Sequence, residues 1–245
     1  MLKQLFTIIL LLYSAASLSA ECVVLLHGLA RTANSMSELE QKLTAEGYYV
    51  ANIDYPSRKG EIAVLAEIAV GDGLSQCHEN AAAPINFVTH SLGGILVRQY
   101  YKNHPLGKLK RVVMLAPPNG GSEVVDKLKN MPGYKLLNGP AGGQLGTKSG
   151  DIPKALGPVN FELGVVAGTQ SINLILSTFL PNPDDGKVSV ASTQVEGMCG
   201  FIALPATHSF IMSNDQVITN VIHFLAYGEF KNNSARNDCK AGFIK

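Results

Sequence analysis

The chain has 245 residues, 46% of them hydrophobic and 16% charged, which suits one large domain with a substantial core and excludes intrinsic disorder. Lys and Arg number 20 against 19 Asp and Glu, so the formal net charge is +1 and no electrostatic footprint for nucleic acid or anionic lipid is expected. Past residue 20 no uncharged apolar run approaches the roughly 18 residues that a membrane span needs.

Met1 to Ala20 reads MLKQLFTIILLLYSAASLSA. One Lys near the start, an apolar run from Leu5 to Tyr13 and small closing residues give the three-part layout of a secretory signal peptide. Glu21 separates Ala20 from Cys22, so lipid attachment is not expected, and residues 21–245 form the mature domain. A periplasmic or secreted location follows. The four cysteines, Cys22, Cys77, Cys199 and Cys239, contain no Cys-x-x-Cys pair; in an oxidising compartment an even number indicates two disulfides rather than a zinc site.

Short apolar runs then alternate with amphipathic stretches. Cys22–Leu26 reads as a buried strand, and Asn34 or Ser35 can cap a helix carrying Met36, Leu39 and Leu43 on one face and ending at Gly47. Tyr48–Ile53 is the next strand, and residues 61–70 the next helix. Ile85–Thr89 is a strand, Leu92–Tyr101 a helix, and Val112–Ala116 a strand stopped by Pro117 and Pro118. From residue 119 to 160 Gly, Pro, Asn and Ser are dense, and a partly helical cap or lid over the sheet edge is expected there. Phe161–Ala167 is a further strand. Val217, Val221, Phe224 and Leu225 mark a last helix closed by Gly228. Strand–helix alternation gives an α/β domain with a mainly parallel central sheet and helices on both faces.

Thr89-His90-Ser91-Leu92-Gly93-Gly94 stands between a predicted strand and a predicted helix. A serine on that sharp turn presents its hydroxyl above the sheet edge, and the crowding two positions away demands a small residue, Gly93. Thr89 is bulky for the first position of Gly-x-Ser-x-Gly, so the turn must open slightly. The hydroxyl needs a base. Of six histidines, His208 lies in the loop between the last strand-like run and the final helix, where an imidazole can swing over the strand ends. The acid that orients it is expected in Pro183-Asp184-Asp185-Gly186, with Asp185 preferred, Asp184 the rival, and Glu123 and Asp126 remoter candidates. The N–H of Leu92, at the helix start, and that of Leu29, in His27-Gly28-Leu29 after the first strand, can hold an oxyanion.

His27-Gly28-Leu29, Thr89 to Gly94, Asp185-Gly186-x-Val188 and His208 together resemble the α/β-hydrolase superfamily, in particular its small bacterial lipases and esterases. The resemblance implies a minimal α/β-hydrolase fold, cleavage of carboxylic esters through a Ser-His-Asp triad and an acyl-enzyme, and no cofactor; no metal-ligand set is evident. A thioesterase or acyltransferase would use the same triad, and a hydrolase-fold binding protein would usually lack one of its members. In this fold the first strand and the strand leading to Ser91 are parallel neighbours. That places Cys22 near Cys77, away from the active edge, and leaves Cys199 with Cys239. The near-neutral chain points to a small-molecule or lipid ester of little charge. Met131, Tyr134, Leu136, Leu137 and Leu145 are candidates for an acyl pocket, with a carboxylesterase expected ahead of a lipase.

Overall fold

Five consecutive apolar residues, Cys22–Leu26, form strand β1, and every one of them is buried. Continuous burial is what a strand covered on both faces requires. Its side chains alternate accordingly. Cys22, Val24 and Leu26 join one core cluster, while Val23 and Leu25 join the other. The computed structural model describes residues 19–105 and 107–231. The expected signal segment, 1–20, lies almost wholly outside these residues, as does Cys239.

After β1 come α1 (Ser37–Ala45), β2 (Tyr49–Ile53), α2 (Ile62–Glu79), β3 (Ile85–His90), α3 (Leu92–Asn103) and β4 (Leu109–Leu115). Three short helices follow: α4 (Glu123–Leu128), α5 (Tyr134–Gly143) and α6 (Ile152–Ala155). Strand β5 (Leu163–Gly168), helices α7 (Leu174–Ser177) and α8 (Val190–Thr193), strand β6 (Gly200–Leu204) and helix α9 (Asp215–Tyr227) complete the described chain. The six strands run β2-β1-β3-β4-β5-β6, and every neighbouring pair is parallel. Helices α2 and α3 supply one core cluster with Leu65, Ala69, Ile95 and Leu96; α1 and α9 supply the other with Leu39, Leu43, Val221 and Phe224. The sheet is covered on both sides, and its loops at the C-terminal strand ends are left for chemistry.

Several boundaries differ from the sequence reading. Helix α2 continues nine residues past Val70, to Glu79, through Gly71 and Gly73. A Cβ at Gly73 would collide with the Val24 side chain, so this glycine permits close helix–strand approach rather than ending the helix. Cys77 therefore lies in the last turn of α2, not in a stretch outside a helix. It still meets the start of β1, and the expected Cys22–Cys77 disulfide is present with a Cα–Cα distance of 5.7 Å. The second expected pair, Cys199 with Cys239, involves a residue outside the described ones. Asn34 and Ser35 do not cap α1. They lie in a 3-10 turn, Ala33–Met36, where the Ser35 hydroxyl donates to the Thr32 carbonyl at 2.8 Å.

Residues 119–160 are largely ordered by polar ties. Arg98 of α3 donates to the carbonyl and side-chain oxygens of Asn119, and to the carbonyls of Pro153 and Gly157 at 3.1 and 2.7 Å. Its guanidinium is buried without a carboxylate, which pulls its pKa down to about 10. Helix α5 breaks at Gly139 (φ 66°), where a side chain would strike the backbone of Arg58.

Candidate active site

Ser91 occupies the turn between β3 and α3 with φ 52° and ψ −115°, a conformation that costs an L-residue on the order of 1–3 kcal/mol. The turn holds because its surroundings determine it. The Ser91 amide donates to the Leu115 carbonyl at 2.9 Å, and a Cβ at Gly93 would sit 2.7 Å from the Leu26 carbonyl oxygen. Glycine at 93 is thus dictated by close approach to the end of β1. Thr89, the bulky residue of the motif, is accommodated within β3 and wholly buried. Ser91 makes no capping hydrogen bond to α3. Its hydroxyl lies 3.1 Å from His208 Nε2 instead.

His208 Nδ1 lies 2.8 Å from Asp185 Oδ2. The other carboxylate oxygen of Asp185 accepts the amides of Lys187 and Val188 at 3.0 and 2.8 Å. The His208 amide also donates to the Asp185 carbonyl. Asp184 has different partners: its Oδ1 accepts the Ser177 hydroxyl and the Gly186 amide, both at 2.7 Å. Of the two adjacent carboxylates, one therefore reaches the imidazole and the other braces the turn. Asp126, a remoter candidate, accepts the amide and hydroxyl of Thr147 and pairs with Lys129. Glu123 lies on the same helix, α4, and takes no part in the row.

Three supporting features were not read from the sequence. A Cβ at Gly168, the last residue of β5, would come 2.9 Å from Asp185 Cβ, so this glycine lets the acid loop fold onto the strand end. His90 brings Nε2 to 3.0 Å from the His208 carbonyl. His27 anchors the loop after β1: its Nδ1 donates to the Gly28 carbonyl at 2.8 Å while Nε2 accepts the Tyr55 amide at 3.3 Å. That pattern fixes a neutral tautomer, in keeping with burial, which lowers its pKa. Tyr55 stacks on the ring and donates its hydroxyl to the His27 carbonyl at 2.6 Å. Beyond Leu29, Ala30 turns at φ 56° and its amide reaches Ser57 Oγ. Leu29 and Leu92 thus stand at the ends of β1 and β3 respectively, Leu92 as the first residue of α3, whose leading N–H groups have no intrahelical acceptor. The other histidines are engaged elsewhere: His104 pairs with Glu67, His223 meets the Glu229 carbonyl, and His78 lies in the last turn of α2.

A cavity of about 510 Å³ opens beside Ser91 and His208. Met131, Tyr134, Leu137 and Leu145 from the expected cap line it, joined by Val125 and Leu128 of α4. Leu136 does not: it is 83% exposed on the outer side. Among the described residues no cluster of His, Cys, Asp and Glu could hold a metal ion.

The chain is similar in structure to a lipase from Bacillus licheniformis, with a TM-score of 0.66 at 17% identity, covering 86% of this chain and 92% of the mature lipase. It spans about half, 52%, of the propeptide form of that lipase. A metagenomic carboxyl esterase gives a TM-score of 0.60 at 18% identity over 80% of this chain and 66% of its own. An extracellular α/β-hydrolase from a Paenibacillus species gives 0.52 at 13% identity over 84% and 98%. Neither a protein-family sequence profile nor a curated protein matches. The fold is that of the α/β-hydrolases.

Proposed function

We propose that this protein is an exported serine hydrolase that cleaves carboxylic esters through Ser91, His208 and Asp185. The observation that carries the reading is the unbroken row Ser91 Oγ, His208 Nε2 and Nδ1, Asp185 Oδ2, spaced at 3.1 and 2.8 Å, on a strained turn at the C-terminal edge of the sheet. A strained, buried serine aligned with an imidazole–carboxylate pair has little structural purpose. The lipase and esterase names borne by structures of this fold point the same way.

In this reading His208 Nε2 takes the Ser91 proton as Oγ attacks the ester carbonyl carbon. The carbonyl oxygen becomes an oxyanion held by the amides of Leu29 and Leu92. Asp185 keeps Nδ1 protonated and steadies the imidazolium. Collapse of the tetrahedral intermediate expels the alcohol, which takes the proton from His208 and leaves Ser91 acylated. Water, deprotonated by the same imidazole, then releases the acid and restores Ser91. The acyl chain lies against Val125, Leu128 and Leu145, and residues 119–160 act as the cap. The signal reading of residues 1–20 and the Cys22–Cys77 bridge support export to an oxidising compartment. Hydrolysis of an ester series of rising acyl length, with Ser91→Ala as control, tests the function. The variant should lose on the order of a million-fold in turnover. Comparable hydrolysis by both proteins overturns the assignment.

A further inference from the structure

The cavity beside Ser91 has a mixed lining. Residues 119–160 contribute mostly apolar side chains, Arg31 and Lys187 line it as well, and no Asp or Glu does among the described residues. Neither cation makes an ion pair with a described residue within 4.0 Å. The Lys187 ammonium has Asp185 in its neighbourhood, but that carboxylate is already used by His208 and two backbone amides. Arg31 spends one nitrogen on the Ser209 carbonyl at 3.2 Å, next to the base. Desolvation and repulsion from Arg31 both press the Lys187 ammonium below its ordinary pKa. Two like charges facing one catalytic cavity, with His208 about to gain a third during turnover, are an arrangement that a bound anion would relieve.

Their position gives the side of the ester. Arg31 is tied to the residue after His208, and Lys187 follows Asp185 by two positions, so both cations stand by the base. The departing alcohol takes its proton from the base and must leave there. We infer that Arg31 and Lys187 form an anion subsite for the alcohol half of the substrate, so that the ester hydrolysed carries a phosphate or carboxylate on its leaving group and an acyl chain on the other. This rests on the ester-hydrolase reading, and it reverses the expectation of an ester of little charge, because a balanced total charge conceals a locally cationic pocket.

Matched pairs of soluble butyrate esters test it: 1-butyrylglycerol against its 3-phosphate, and butyl butyrate against 4-(butanoyloxy)butanoate. The charged member should show kcat/KM higher by about tenfold or more, the effect of one charge-assisted hydrogen bond. Preference for the phosphate alone or for both anions distinguishes the two sources, and either supports the subsite. A third pair, methyl butyrate against monomethyl succinate, carries the charge on the acyl half and should show no preference for the anion. In Arg31→Gln/Lys187→Gln the charged-to-neutral ratio should fall to about one, and Arg31→Lys should retain most of it. Fluorophosphonate labelling of each variant reports that the site is folded. A wild-type ratio at or below one with neutral esters still turned over overturns the subsite alone. So does a preference confined to the succinate pair, or one that survives the double substitution. Failure of every ester to react, with no labelling of Ser91, overturns the hydrolase reading and the subsite with it.

Discussion

His90 Nε2 lies 3.0 Å from the carbonyl oxygen of His208, so the residue preceding the proposed nucleophile holds the backbone of the proposed base. With Nε2–H donating, Nδ1 is left as an acceptor without a described partner, packed where a Cβ on Gly28 would approach to 2.6 Å. The ring is neutral. Burial, reinforced by the charges of His208, Arg31 and Lys187, holds its pKa well below the ordinary histidine value.

That arrangement makes the fold sensitive to acid. His27 and His90 are both kept neutral in the folded protein, while in the unfolded chain they titrate near about 6.5. Below that pH the unfolded chain binds protons that the folded one refuses, so stability is full at neutral pH and declines as pH falls. The melting temperature should drop between pH 7 and pH 5, and His90→Asn should flatten that slope while lowering the starting value. A wild-type slope no steeper than the variant's would contradict this.

Asp184 and Asp185 should separate cleanly. Asp185→Asn leaves the imidazole in the wrong tautomer and should cut kcat by about three to four orders of magnitude with little change in folding. Asp184→Asn weakens the bonds to Ser177 and Gly186, so it should lower the melting temperature while the folded fraction keeps most of its kcat. Steady-state kinetics paired with thermal melts decide it; the reverse pattern assigns the acid to Asp184.

Arg98 should matter more to stability than any surface cation. Arg98→Met removes the donors for four oxygens around Asn119, Pro153 and Gly157. Buried acceptors left unpaired cost about 1–3 kcal/mol each, so urea unfolding should show a loss of at least about 3 kcal/mol. Lysine, with one compact charge, should rescue little of it. A loss below about 1 kcal/mol would show that the carbonyls find other donors.

The Cys22–Cys77 bridge joins the start of β1 to the end of α2, across the sheet from Ser91, and spans a sequence separation of 55. Its removal in Cys22→Ser/Cys77→Ser should cost about 2–4 kcal/mol by freeing the unfolded chain, with kcat of the folded protein retained. Loss of kcat in a protein that still melts cooperatively would contradict that placement.

The α/β alternation was legible because the strands are apolar runs, and the site candidates came from separate signals: Ser91 from its strand-to-helix motif, His208 from its loop, and Asp185, with Asp184 as rival, from chain order. What escaped detection depended on packing partners distant in sequence. The close approach of Gly73 to Val24, which accompanies the run of α2 on to Glu79, joins residues far apart in sequence. Arg98, inside the helix expected over Leu92–Tyr101, is 4% exposed, and its partners Asn119, Pro153 and Gly157 lie up to 59 residues away. His90 neighbours Ser91 in sequence, whereas its partner is a backbone carbonyl in a loop 118 residues away. Arg31 and Lys187 vanish in a net charge of +1, and only their shared cavity makes them a pair.

The central claim is that Ser91 is a nucleophile activated by His208. Intact-mass spectrometry after incubation with a fluorophosphonate tests it most directly. The account predicts one covalent adduct per chain, mapped to the peptide containing Ser91, absent in Ser91→Ala and formed far more slowly in His208→Ala. A chain that stays unmodified, or one whose adduct persists in Ser91→Ala, would contradict it.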